Sequence, residues 1–184
     1  VLYADDLASV FGVDAVRYYM LHEMPFAQDG TITYEVFISR YNSDLANTLG
    51  NLVTRTVAMV NKYFGGEIQP NTTEGEFDDD LIATAVSAIS AIEKKMSTFH
   101  VADSLDEIWK VINRANKYID ETTPWILAKD EATMPRLGTV LYNLIETIRI
   151  IAALFSSYMP ETSEKIANQI GADDLSYESV KSFG

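Results

Sequence analysis

Cysteine is absent from the sequence of 184 residues. Its absence excludes zinc knuckles, thiol catalysis and disulfide frameworks, and it fits a cytoplasmic location, where thiols stay reduced. Long hydrophobic runs are lacking as well, because the longest strongly apolar stretch covers only residues 148–155. A run of that length is too short to span a bilayer, so we expect no membrane partner. The chain begins without an initiator methionine, and we expect it to be an excised piece of a longer protein.

Side chains that carry out catalysis are scarce. The two histidines, His22 and His100, lie far apart and have no acidic or nucleophilic companion at an informative spacing. No glycine-rich loop follows a strand pattern, which excludes a phosphate cradle of that kind. No group of histidines and carboxylates has the spacing of metal ligands. The sequence therefore predicts no catalytic residue and no metal site.

Positive charge is in short supply. Lysines and arginines number 14 against 27 aspartates and glutamates, which gives a formal net charge of −13. An acidic surface repels phosphate groups at long range, so the composition disfavours general binding of nucleic acid, and we expect no DNA partner. Any contact with RNA must be local, resting on a few residues, with the acidic surface turned away from the strand.

Helical periodicity is what the sequence has in abundance. Hydrophobic residues make up 47% of the chain, enough for the core of one domain, or of one domain with a small appendage. Near the N-terminus the pattern predicts a short helix over 5–11, which Gly12 ends in a left-handed conformation. A second helix extends to residue 23, with Asp14 as its N-cap. Residues 25–32 are the only plausible place for a short strand.

A longer helical pattern begins after Thr33, which is placed as an N-cap, and continues to Phe64, with a break at 42–44 left open. Gly65 and the glycine after it end the pattern. One face carries residues that recur at the spacing of a helix and point toward a core. These residues are Leu45, Leu49, Leu52, Val53, Thr56, Val60 and Tyr63.

Further helices follow an acidic stretch over 67–80, which we predict to be an exposed loop. Their predicted spans are 79–99, 104–122, a short helix that starts at Pro124 with Thr123 as its N-cap, 133–158 and 160–170. Long helices joined by short connections favour an antiparallel bundle. The predicted fold class is therefore all-α, an antiparallel helical bundle with a short N-terminal linker subdomain. We expect three parts: a connecting segment over 1–32, the bundle over 33–160, and a C-terminal helix and tail over 161–184.

Two polar residues of the long helix stand out. Asn51 and Arg55 are four residues apart, so they project side by side, roughly 120° around the helix from the apolar face. An amide beside a planar guanidinium can hydrogen-bond the edge of an unstacked base, as in the recognition of single-stranded RNA loops. A solvated polar helix surface is the alternative.

An aromatic partner for such a pair is found near the start of the short helix. Trp125 follows Pro124, and a proline at the first helical position holds the next side chain rigidly. A buried core tryptophan is the alternative, because large aromatic side chains usually pack inside. Trp109 lies on the apolar face of its helix, and we assign it to the core.

Three stretches carry a more specific signal. The first reads FGVDAVRYY at 11–19 and MPFAQDG at 24–30, the second reads RYNSDLAN at 40–47 and GNLVTR at 50–55, and the third reads NKYIDETTPWILAK at 116–129. In their order and spacing they resemble the methionyl-tRNA synthetase family, whose members are class I aminoacyl-tRNA synthetases. The resemblance covers most of the chain.

This resemblance implies a helical domain that recognises the CAU anticodon of methionine tRNAs, within an enzyme that attaches methionine to tRNA using ATP. In that family an asparagine and an arginine on one helix contact the first anticodon base, a cytosine, and a tryptophan stacks on it. The matching positions here are Asn51, Arg55 and Trp125, and Pro124, which positions the tryptophan, matches too. The expected partners are the anticodon loop of tRNA(Met) and the enzyme's own catalytic domain.

The resemblance also implies what this chain does not hold. The family's ATP-binding signatures and its zinc-binding insertion would lie upstream of residue 1, so residues 1–32 are expected to follow a missing catalytic domain. We expect no cofactor here, because ATP and methionine bind in that domain, and no activation of methionine by this chain alone. Two alternatives remain: the anticodon-binding domain of a ligase for leucine, valine, isoleucine or cysteine, and a helical protein-interaction module. A buried Trp125 would favour the module.

Overall fold

The computed structural model describes residues 3–24, 30 and 32–184, and within these ranges no strand forms. The α-helices are α1 (Ala4–Phe11), α2 (Val13–Glu23), α3 (Tyr34–Arg40), α4 (Asn51–Phe64), α5 (Asp78–Met96), α6 (Val101–Thr122), α7 (Pro124–Leu127), α8 (Met134–Phe155) and α9 (Pro160–Ile170). A π-helix over Tyr41–Gly50 joins α3 to α4, and short 3-10 helices cover Glu131–Thr133 and Glu178–Lys181. The all-α prediction is confirmed. The expected strand over 25–32 lies largely outside the described residues.

Helix α8 is the centre of the bundle. It packs against α4, α5, α6 and α9, and most of its side chains are buried. By length and hydropathy alone the segment Glu131–Phe155 resembles a membrane span, but 89% of its most apolar window is buried inside the protein. Its apolar character is therefore that of a core helix.

The predicted inner faces of the surrounding helices are buried as expected. In α4 and the π-helix before it, Leu49, Leu52, Val53, Thr56 and Val60 are buried, because apolar residues at helical spacing share one side. Helices α5 and α6 form a hairpin with many mutual contacts, joined by a turn over 97–100. This pair and α4 enclose α8, which completes the main core.

The N-terminal helices have a small core of their own. It contains Leu7, Ala15, Tyr19 and Phe37, so α3 packs with α1 and α2. Helix α2 also contacts the main core, because Tyr18 points the other way and meets the Trp109 ring edge-on at 5.8 Å. The division of the chain at residue 33 stays a prediction.

Several predicted helix ends are confirmed. The Oγ1 atom of Thr33 accepts a hydrogen bond from the Val36 amide at 3.2 Å, as an N-cap does. Gly65 ends α4 as predicted, and the last helix ends at residue 170 as predicted, followed by Gly171; the two glycines have φ values of 63° and 67° in the left-handed region. Glycine adopts that region without strain because it has no Cβ.

At other predicted helix ends the capping differs from the prediction. Gly12 has the expected positive φ of 86°, but its ψ of 156° is extended rather than helical. Asp14 lies inside α2 and does not cap it, because its carboxylate accepts a hydrogen bond from the Thr162 amide in α9 instead. Thr123 precedes α7 with a φ of 43° and makes no side-chain cap. At 42–44 the backbone does not break but continues as the π-helix.

Candidate nucleic-acid interface

Helix α4 begins with the first of the predicted site residues. Asn51 follows the π-helix directly, and its backbone amide still donates to Ala46 five residues back. Both Asn51 and Arg55, one turn later, are exposed, whereas Leu52 between them is fully buried. The buried apolar face of α4 therefore fixes the direction in which the two polar side chains project.

Arg55 differs from the other arginines of the chain. In the part of the chain that the structure describes, its guanidinium has no hydrogen-bond, ion-pair or ring partner. The remaining arginines are all engaged: Arg17 with backbone carbonyls, Arg40 with Glu23 and Asp44, Arg114 with Asp80 and Glu121, Arg136 with Asp78, and Arg149 with Glu146. An exposed guanidinium with all its donors unused is a ready recognition group for an external acceptor.

The chain segment around Arg55 is unlike the rest of this acidic sequence. No aspartate or glutamate occurs over 45–66, although the whole chain carries 27 of them. Lys62 lies seven residues after Arg55, which places it on the same side of α4. Its ammonium rests over the Tyr63 ring at 5.2 Å and forms no ion pair with a described residue. This acid-free stretch is visible in the sequence, yet net charge alone obscures it.

Trp125 is held at the surface by a rigid corner. Pro124 before it is buried at the first position of α7, and the helix is closed by the hydrogen bond from the Ile126 amide to Thr123 O at 2.8 Å. Leu127 packs against the main core. The Trp125 side chain itself is 42% exposed, which contradicts the core alternative for this residue.

The second tryptophan behaves as the sequence predicts. Trp109 packs against the main core between the rings of Tyr18 and Phe155, at centroid distances of 5.8 and 6.1 Å. Its indole Nε1 is buried and makes no hydrogen bond of normal geometry to any described residue, although it lies close to the Tyr18 hydroxyl. The two tryptophans thus occupy different environments, one internal and one half-exposed.

Asn51 and Arg55 are both exposed on α4, one turn apart, and Trp125 is linked to that helix only indirectly. The Asn116 side chain of α6 donates to Thr48 O at 3.4 Å, just before α4 begins. From Asn116 the helix continues for about 9 Å to its end at Thr122, and Trp125 follows. No hydrogen bond, ion pair or ring contact joins Trp125 to Asn51 or Arg55 within the described ranges.

A buried polar network supports the end of α6 that leads to Trp125. Asp78, predicted to lie in an exposed acidic loop, is only 4% exposed. Its carboxylate accepts hydrogen bonds from Arg136 at 2.6 and 2.7 Å, from the Tyr118 hydroxyl at 2.6 Å and from the Gly75 amide at 3.0 Å. The hydroxyl of Tyr118 in turn accepts from Asn143 at 3.2 Å.

The ionisation of this network follows from its contacts. Burial by itself raises the pKa of Asp78, but the hydrogen bonds from Arg136 and Tyr118 outweigh it and lower that pKa below its usual value. Burial and the neighbouring carboxylate raise the pKa of Tyr118, so its hydroxyl keeps its proton. A buried ion pair between Asp78 and Arg136 therefore joins the start of α5 to α8, near the end of α6 that leads to Trp125.

Comparison with known proteins defines the class and then the family. Residues 1–57 match the family model described as tRNA synthetases class I (M), and residues 68–182 match the one described as the anticodon binding domain of methionyl tRNA ligase. The second match covers well over half of the chain. The chain belongs to the family of methionyl-tRNA ligase anticodon-binding domains.

Relatives and solved structures agree with this assignment. The chain is 51% identical over 177 residues to the methionine–tRNA ligase of Clostridium acetobutylicum and 52% identical over 177 residues to that of Clostridium perfringens. These alignments cover 96% of this chain but 28% and 27% of the relatives, so the chain spans just over a quarter of their length. The crystal structure of apo Mycobacterium tuberculosis methionyl-tRNA synthetase superposes with a TM-score of 0.93 at 35% identity, over 100% of this chain and 38% of that one.

Proposed function

We propose that the surface formed by Asn51, Arg55 and Trp125 binds the anticodon loop of methionine tRNA and reads the cytosine of CAU. The observation that carries this proposal is the guanidinium of Arg55, which has no partner among the described residues, whereas the other arginines are all engaged. Family membership favours methionine over a related class I ligase. The exposure of Trp125 supports RNA binding, because a base needs an accessible ring on which to stack.

The side chains match the chemistry of an unstacked cytosine. Cytosine offers an amino donor at N4 and acceptors at N3 and O2 along its pairing edge. The Asn51 amide can accept from N4 while Arg55 donates to the ring acceptors, because the two groups project side by side from one helical turn. Trp125 supplies the stacking face. A uracil at this position would present an N3–H donor to Arg55, which has no acceptor, and this clash of two donors is the basis of discrimination.

Affinity for the phosphate backbone of the RNA has to come from a few nearby lysines. Lys62 shares the exposed side of α4 with Arg55, and Lys129 lies exposed four residues after Trp125, with no acidic partner among the residues described. Contacts of this kind position the strand without reading its sequence. The net charge of −13 comes from residues outside the segment 45–66, so we expect the tRNA to approach along the exposed side of α4.

The remaining steps of the ligase reaction would take place outside this chain. ATP and methionine would bind in the part of the ligase that the chain does not span, so we expect no cofactor here and no methionine activation by this domain alone. The natural ligand is tRNA(Met), presented together with the ligase's own catalytic domain, and we expect no binding to DNA or membranes. We propose a cytoplasmic location, where a cysteine-free chain meets no redox constraint.

Intrinsic fluorescence tests the stacking directly. A Trp109→Phe variant leaves Trp125 as the only tryptophan, and it removes an indole N–H that makes no hydrogen bond of normal geometry to a described residue. Adding a methionine anticodon stem-loop should quench this fluorescence, because a stacked base lies against the ring. The matched Trp125→Phe protein, which keeps Trp109, should show no quenching. Equal quenching of both proteins, or of neither, would contradict the proposal and leave a protein-interaction module as the better account.

A further inference from the structure

Two charged side chains of α2 hold the corner between α8 and α9. The Asp14 carboxylate Oδ2 accepts a hydrogen bond from the Thr162 amide at 2.6 Å. One turn further along α2, Arg17 donates from Nε to Tyr158 O and from Nη2 to Ser157 O, both at 2.9 Å. These contacts join residues about 140 positions apart, and we refer to them as the α2 clasp.

The charges of the clasp match the helix ends that they touch. The N-cap residue of α9, Met159, makes no side-chain cap, so its first amides need an acceptor from elsewhere. Asp14 supplies that acceptor with negative charge, which suits the positive end of a helix. Arg17 binds carbonyls just after the end of α8, where positive charge is favourable. Asp14 is only 7% exposed, so water competes little for its contact.

The clasp joins a helix of the small N-terminal core to a corner of the main bundle. Asp14 and Arg17 lie in the first family match, over 1–57, which also contains Asn51 and Arg55, whereas the α8–α9 corner lies in the match to the anticodon-binding model. Helix α2 belongs to the small N-terminal core through Ala15 and Tyr19. A bundle that is held at this corner keeps a fixed direction relative to everything attached to α1 and α2.

We propose that Asp14 and Arg17 are positioning residues of the ligase, which fix the anticodon-binding bundle relative to the part that carries out the reaction. This inference rests on the proposed function. A tRNA bound at Asn51 and Arg55 must present the end that receives the amino acid to a distant site in the rest of the ligase. A small rotation at α2 displaces that far end by much more than it displaces the anticodon. The clasp therefore controls the rate of transfer to tRNA and not the affinity for the anticodon.

The test uses the complete ligase carrying Asp14→Ala, Arg17→Gln or both. The turnover number kcat for aminoacylation of full tRNA should fall about tenfold in the double variant, as expected when reacting groups are misplaced by a fraction of an ångström to an ångström. The dissociation constant for the isolated anticodon stem-loop, and methionine activation without tRNA, should stay unchanged. Asp14→Asn keeps a side-chain oxygen that can accept from Thr162, so it should retain most of the rate.

A matched control separates positioning from a general loss of stability. Arg149 binds backbone carbonyls of Asp174 and Ser179 at 3.1 and 3.0 Å, as Arg17 binds its own pair, but it lies within the bundle. Arg149→Gln should lower the unfolding temperature without lowering kcat relative to its stem-loop affinity. Arg17→Lys, which keeps the charge but loses the paired donors, provides a milder variant if Arg17→Gln does not fold.

The outcomes distinguish this inference from the proposed function. Unchanged kcat in the double variant overturns the positioning role, whatever the stem-loop affinity of the wild type. A parallel loss of stem-loop affinity and kcat also overturns it, because the clasp would then shape the binding surface itself. Failure of the wild-type ligase to bind the stem-loop overturns the proposed function instead.

Discussion

Asp78 and Arg136 form a two-pronged ion pair, in which the guanidinium donates to both carboxylate oxygens at 2.6 and 2.7 Å. Both side chains are largely buried, and Tyr118 donates a third hydrogen bond to the same carboxylate. Asp78 begins α5, Arg136 lies in the first turn of α8, and Tyr118 lies near the end of α6. The pair therefore ties together three helices behind the corner that holds Trp125.

Replacing Asp78 by alanine should destabilise the fold strongly. The change leaves the Arg136 charge and the Tyr118 hydroxyl without their acceptor, and breaking a buried pair in this way costs about 3 kcal/mol or more. Urea unfolding of both proteins gives the difference in the free energy of unfolding. Asp79→Ala, one residue away and exposed, is the control and should change that free energy little. Equal effects of the two substitutions would show that the pair does not stabilise the end of the bundle.

The stabilisation from Asp78 should depend on pH in a defined direction. Its pKa is lowered in the folded protein, so the stabilisation is fully present above the unfolded pKa of about 3.9 and is lost as pH falls through the folded pKa. The difference in unfolding free energy between wild type and Asp78→Asn should therefore be constant near neutral pH and shrink below about pH 4. A difference that grows on acidification would mean that the folded pKa is raised.

Sequence periodicity was enough for the helices but not for the contacts between distant segments. The apolar stripe from Leu45 to Val60 defines the buried side of its helix because side chains at that spacing must share one face. The role of Asp14 was not predictable, since its partner amide lies in α9 and residue spacing carries no information about that distance. The burial of Asp78 was not predictable for the same reason. Its partner Arg136 lies in another helix.

For the candidate RNA-binding site, the sequence predicts only those relations that lie within one helix. Asn51 and Arg55 were placed on one surface because a helix fixes their relation. The exposure of Trp125 could not be decided, because a tryptophan after a proline fits a core and a surface equally well. The lack of an acidic partner for Arg55 among the described residues could not be predicted, because it depends on where every acidic side chain lies in the fold. The π-helix before Asn51 leaves no pattern that differs clearly from an ordinary helix.

Asn51 and Arg55 should act on one base rather than independently. Each single alanine substitution should weaken binding of the methionine anticodon stem-loop. The double variant should lose less than the sum of the two losses, because neighbouring residues that share a partner are coupled. A double-mutant cycle of dissociation constants measures the coupling. Strict additivity would mean that the two side chains contact different parts of the RNA.

Lys62 should contribute affinity without specificity. A Lys62→Gln substitution should weaken binding of all stem-loops alike and reduce the slope of log K against log salt by about 0.7 to 1, as expected for one lost phosphate contact. Lys110→Gln is the control, because that ammonium already pairs with Glu107 at 2.7 Å on another helix. An effect of Lys62→Gln confined to the CAU loop would instead assign the residue to base recognition.

The most direct test of anticodon reading compares two labelled stem-loops by fluorescence anisotropy at low salt. One carries CAU, and the other differs only in the first anticodon base. We predict that this chain prefers the CAU loop, that Trp125→Ala weakens its binding by about 1–3 kcal/mol, and that Arg55→Ala abolishes the preference. Equal affinity of the wild-type chain for both loops would contradict the account.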